Sequence, residues 1–121
     1  MEAVDLEKKF AEFDEYWQPK IVGELNGQVV KLAKLKGDFI WHHHENEDEL
    51  FQVLKGTLLM QFRDRTEIVK EGEIIVVPKG VEHCPKTNDE EEVHLLLFEK
   101  ISTAHTGEVV HEKTQNHYPK I

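Results

Sequence analysis

The chain from Lys20 to Lys100 is cut into short pieces, and that punctuation limits the folds open to it. Lys20–Leu25 runs into Asn26-Gly27, a dipeptide that favours the tight two-residue hairpin turn. Residues 28–36 follow, then Gly37-Asp38, then 39–44. Beyond an acidic loop come 50–54, the Lys55-Gly56 turn and 57–62. Arg63-Asp64-Arg65 turns the chain into Thr66–Val69, and Glu71-Gly72-Glu73 turns it again into Ile74–Val77, which stops at Pro78. Residues 92–98, EVHLLLF, form the last strong apolar run. About eight short strands spaced by turns predict an all-β sandwich or barrel.

The flanks differ in texture. Ala3, Leu6, Phe10, Phe13 and Trp17 recur in steps of three and four, which puts them on one stripe of a helix, and Pro19 predicts an end near Gln18. The expected organisation is an N-terminal helix within 1–18, a β-barrel in 19–100 and a polar tail in 101–121 without periodicity. The helix either covers a core or makes a dimer contact. At 121 residues, with 39% apolar and 32% charged residues, the composition suits one soluble globular domain.

A formal charge of −9 argues against nucleic acid and anionic membrane as partners, since both call for a cationic face. No apolar run approaches the roughly 18 residues of a spanning helix. The start, MEAVDLEKKF, lacks the apolar core of a secretory signal. Cys84 is the single cysteine, so no intrachain disulfide forms, and a reduced cytoplasmic setting is the expectation.

The densest chemistry lies in WHHHENEDELFQVLKG, residues 41–56. Successive side chains of a strand point to opposite faces. If 39–44 is extended, His42 and His44 share one face, while Trp41 and His43 share the other. Glu49, past a polar bend at the start of the next strand, is positioned to return a carboxylate to the pair. His83, after Pro78-Lys79-Gly80, supplies a fourth candidate once a barrel closes. The metal-ligand candidates are therefore His42, His44, Glu49 and His83. His43 and the loop of Glu45, Asn46, Glu47 and Asp48 read as surface, as do His105, His111 and His117 in the tail. Cys84, next to His83, should face away as a buried thiol.

These residues resemble the two motifs of the cupin superfamily. Gly37, His42, His44, Glu49 and Gly56 fit the first, and Gly72, Pro78, Gly80 and His83 fit the second. Two departures stand out: four residues rather than the usual five separate Gly37 from His42, and the asparagine that often closes the second motif is displaced by one, to Asn88. Neither touches a candidate ligand. The resemblance implies a single-domain cupin jelly roll, one divalent transition metal inside the barrel and frequent homodimerisation. The apolar stripe of Phe10, Phe13 and Trp17, with the outward Trp41, supplies plausible interface residues.

Three imidazoles and a carboxylate suit Fe, Mn, Ni, Co, Cu or Zn. Four protein ligands leave two octahedral positions for water, a bidentate small molecule or dioxygen. By parity from Glu49, Phe51 and Val53 point inward, as do alternate members of Leu58, Met60 and Phe62. Gln52 and Gln61 would turn inward only through a bulge. His94 reads as a core-edge histidine or a partner of the site. Two classes of function stay open: a metal-dependent enzyme (an oxygenase, isomerase or epimerase) acting on a small polar metabolite, or a metal-dependent binding or sensing module without turnover. The chain is also similar to the stand-alone cupins compared with mannose-6-phosphate isomerase, but it shows no phosphate-binding cluster, and no catalytic residue is assigned.

Overall fold

A computed structural model of the chain describes residues 1–107 and 118–121. After a short helix α1 (Leu6–Phe10) come eight strands: β1 (Lys20–Leu25), β2 (Gln28–Leu35), β3 (Glu49–Lys55), β4 (Leu58–Phe62), β5 (Thr66–Val69), β6 (Ile74–Val77), β7 (His83–Thr87) and β8 (Val93–Lys100). They form two antiparallel sheets, ordered β1-β2-β8-β3-β6 and β5-β4-β7. The hairpin expected at Asn26-Gly27 is present. Both residues have positive φ, 50° and 73°, and Leu25 pairs with Gln28 across the turn.

Alternation decides what faces inward. On β3, Glu49, Phe51 and Val53 are buried while Leu50, Gln52 and Leu54 are half-exposed. On β4, Leu58 and Met60 are fully buried. The ladder sets Ala33, Leu95 and Val53 in one row across β2, β8 and β3, then Lys31, Leu97 and Phe51, then Val29, Glu99 and Glu49. The barrel interior is thus apolar through most of its height and turns polar where Lys31, Glu99 and Glu49 meet.

The N-terminal segment differs from the expected helix. α1 ends at Phe10, capped at its start by Asp5, whose side chain accepts from the Lys8 N–H. Residues beyond it run irregularly, and Trp17 adopts a left-handed φ of 61°. The physical reason is that the apolar stripe serves two cores. Phe10 and Phe13 pack with Leu32 on the outer face of β2, whereas Trp17 turns into the barrel and stacks on Phe39 with ring centroids 4.7 Å apart. One helical face cannot reach both sides of a sheet. Trp17 is fixed there by its own N–H on the Lys34 carbonyl and its indole N–H on the Lys36 carbonyl. Phe10, Phe13 and Trp17 are therefore buried within this chain and are not available as interface residues.

Residues 39–44 also depart from expectation. They form no ladder strand; His42 makes an isolated antiparallel bridge to His83, and Asp38 one to Lys86. The described residues of the tail pack against the rest of the chain. His105 is buried rather than exposed, whereas His111 and His117 lie outside the described residues. The Pro119 carbonyl and the Ile121 N–H bond the backbone of Ile21, so the C-terminus adds to the edge of β1. Among the described residues no helix is long and apolar enough to cross a membrane.

Candidate metal centre

The isolated bridge builds the centre. The His42 N–H donates to the His83 carbonyl at 3.0 Å and the His83 N–H returns the bond to His42 at 2.9 Å, so two imidazoles are locked side by side. Their Nδ1 atoms lie 2.9 Å from the carbonyls of Ile40 and Val81 respectively. A carbonyl only accepts, so each Nδ1 carries the proton and each Nε2 presents a lone pair to the interior. His44, one extended step further, is held by its carbonyl on the Gly80 N–H at 2.7 Å. Gly80 has φ +81°, a conformation glycine adopts without strain, and this turn brings the two motif segments together.

Glu49 enters from β3. Its Oε1 lies 3.3 Å from His44 Nε2 and 3.6 Å from His83 Nε2. One donor atom from each of His42, His44, Glu49 and His83 falls within 4.8 Å of the others, and all four residues are buried. Metal–nitrogen bonds of about 2.0–2.1 Å fit a group of that span. His42 Nε2, His44 Nδ1 and Nε2, Glu49 Oε1 and His83 Nε2 are all buried without a hydrogen-bond partner. Each such orphan costs about 1–3 kcal/mol, so leaving several together is unfavourable unless a cation satisfies them. The donor set fits a divalent transition metal.

Charge around the centre is arranged to suit one. Burial, with His83 close by, lowers the His42 pKa to about 4, which keeps the imidazole neutral and its lone pair open. Burial by itself would raise Glu49, but contacts with Glu99, His44 and His83 outweigh it and hold the carboxyl well below the usual range. Glu99 behaves oppositely: burial and the neighbouring Glu49 push it well above its ordinary value, against the pull of Lys31. Of the two carboxyls Glu99 therefore takes up a proton first, and Glu49 keeps its negative charge. Lys31 Nζ sits 2.9 Å from Glu99 Oε1, 3.3 Å from the Thr103 carbonyl and 3.7 Å above the Tyr118 ring. Sequence reading missed this buried chain from Lys31 through Glu99 to Glu49, although the strand parity that put Glu49 inward applies equally to the other two.

A cavity of about 40 Å³ adjoins His42 and Glu49. Trp17, Ala33, Leu35, Phe39, Leu95 and Leu97 form part of its apolar wall, and His105 faces it as well. His105 was read as surface, but the tail returns over the barrel. Gly107 packs so closely on the His43 carbonyl that any side chain there would collide with it, and the Tyr118 hydroxyl accepts the His105 N–H at 2.6 Å. The small residues in Thr103-Ala104-His105-Thr106-Gly107 were the available sign of that close packing.

The remaining expectations resolve simply. His43 points outward and pairs with Glu45. Cys84 is buried. His94 stacks on Phe10 with centroids 4.3 Å apart, on the outer face, so it is a core-edge residue. Gln61 donates to the Cys84 carbonyl instead of facing the site. Trp41 lies under the Arg63 guanidinium at 3.9 Å, a cation–π contact within the chain.

Comparison with known proteins agrees with this architecture. Residues 28–99 match the Cupin_2 family, a cupin domain. The chain is a cupin. A cupin-2 domain containing protein from Shewanella frigidimarina NCIMB 400 superposes on it with a TM-score of 0.78 at 39% identity, covering 81% of this chain and 94% of that one. Protein NMB1881 from Neisseria meningitidis gives 0.73 at 36% identity, covering 82% and 99%. The uncharacterized protein YdbB of Bacillus subtilis (strain 168) is 43% identical over 63 residues, 51% of this chain and 56% of that protein. The cupin thus spans little more than half the length of that relative.

Proposed function

We propose that this cupin is a divalent-metal-dependent enzyme acting on a small metabolite, with the metal held by His42, His44, Glu49 and His83. The observation that carries the reading is the set of buried, unpartnered donor atoms gathered within 4.8 Å. A metal so bound leaves positions open, where it supplies Lewis-acid polarisation of an oxygen or activation of a bound water. The chain's own part is to hold the His42 imidazole neutral, keep Glu49 ionised and offer an apolar recess beside them. Binding without turnover is the second reading. It is favoured by the wall itself: among the described residues, His105 is the one titratable residue lining the cavity apart from His42 and Glu49.

Elemental analysis of protein purified without a histidine tag or immobilised nickel tests the metal. About one transition-metal ion per chain is expected, dropping several-fold in His42→Ala and His83→Ala but not in His43→Ala. Stoichiometric metal in all three variants would overturn the ligand assignment. Circular dichroism on the same samples separates loss of a ligand from loss of the fold, because metal binding and folding are coupled.

We also propose that the cupin pairs with a second copy. Support comes from Ile68 on β5 and Ile74 and Val76 on β6, all more than half exposed on the edge strands of the two sheets. Light scattering should report a dimer that Ile74→Lys dissociates; a monomeric wild type refutes the pairing.

A further inference from the structure

The cavity beside the centre has a chemistry of its own. At about 40 Å³ it holds roughly three water-sized volumes, enough for a few carbon atoms beyond those at the metal. Its wall is aliphatic on the side of Ala33, Leu35, Leu95 and Leu97, and is closed by the stacked Trp17 and Phe39. A sugar or polyol placed there would bury hydroxyls against carbon, and each unpaired hydroxyl loses its water without replacement. His105, held by Tyr118, also faces the recess.

Charge narrows the ligand further. A divalent ion with Glu49 as its anionic ligand leaves one net positive charge, and the Lys31–Glu99 pair does not remove it. In a low-dielectric recess that charge calls for one anion on the ligand. We infer that the ligand of this site is a short aliphatic carboxylic acid, its carboxylate at the His42–Glu49 end and its carbon chain among Ala33, Leu35, Leu95 and Leu97. This rests on the metal reading above and replaces the polar metabolite expected from sequence with one that is polar at a single end.

The test uses the full chain loaded with Co(II), whose visible spectrum reports anions entering the coordination sphere without any turnover. 2-Hydroxybutyrate and glycerate share a head group and a size, and differ by a methyl in place of a hydroxyl. The methyl compound should bind at least ten-fold more tightly. From acetate to propionate to butyrate, affinity should rise about four-fold per methylene. Ala33→Leu, which fills the recess, should cancel both preferences while azide, which needs only the metal, binds as in wild type. Equal or tighter binding of glycerate, or an unchanged preference in an Ala33→Leu protein that still binds azide, overturns the inference while leaving the metal in place. Failure of the wild type to take up Co(II) would instead overturn the metal reading, and this one with it.

Discussion

Lys31→Ala should cost this cupin about 3–5 kcal/mol of folding stability, the range seen when one member of a buried ion pair is removed. Lys31 has no exposed surface, and its ammonium joins three parts of the fold: Glu99 on β8, the Thr103 carbonyl and the Tyr118 ring. Without it, Glu99 sits beside Glu49 with no cation, and Thr103 and Tyr118 lose the group that ties them to the barrel. The loss should show as a fall in the urea midpoint with little change in slope. It should shrink at low pH, where protonation of Glu99 removes the need for a counter-charge. Lys31→Met combined with Glu99→Leu should recover most of the stability, because an apolar pair of similar volume leaves no charge stranded. A single-variant loss below about 1 kcal/mol would show that the ammonium does not organise this region.

Those same residues show how far the sequence could be read. The strand-and-turn rhythm placed the ladder well, since Asn26-Gly27 and the turns at Gly56 and Gly72 depend on local backbone chemistry that the residues themselves dictate. The inward positions of Glu49, Phe51 and Val53 follow from period two alone. His42 and His44 were legible for the same reason, even though their segment makes only one bridge: extended backbone alternates whether or not a ladder forms. Trp17 was misplaced because helical periodicity cannot tell which of two cores an aromatic will enter. His105 was misplaced because the return of a polar tail over a barrel is a long-range event with no local period. Lys31 and Glu99 carried the usable pattern, Val29-x-Lys31-x-Ala33-x-Leu35 and Leu95-x-Leu97-x-Glu99, but charged residues inside apolar alternation are ordinarily assigned to solvent. Their burial makes sense only beside the buried cluster of His42, His44, Glu49 and His83.

Acid should destabilise the metal-free protein through His42. Its folded pKa of about 4 lies below the 6.5 of an unperturbed imidazole, so between those values the unfolded chain binds a proton that the folded chain refuses. Stability is therefore full above pH 6.5 and is lost as pH falls toward about 4, below which the His42 contribution levels off. That interval corresponds to about 3 kcal/mol. Glu49, held low, adds to the loss at the acid end. Glu99, held high, works the other way, since stability gained from its protonated form is present at low pH and fades as pH rises. His42→Gln removes the imidazole, so its stability profile from pH 7 to pH 4 should be flatter than that of wild type by about 3 kcal/mol. Bound metal should steepen the wild-type profile, because protons then compete with the ion for the same lone pair and the protein loses ligand and fold together. Urea unfolding at a series of pH values, with and without metal, measures all three curves. Parallel metal-free curves for wild type and His42→Gln would mean that His42 protonates as readily in the fold as outside it, and that the centre does not hold its imidazole neutral.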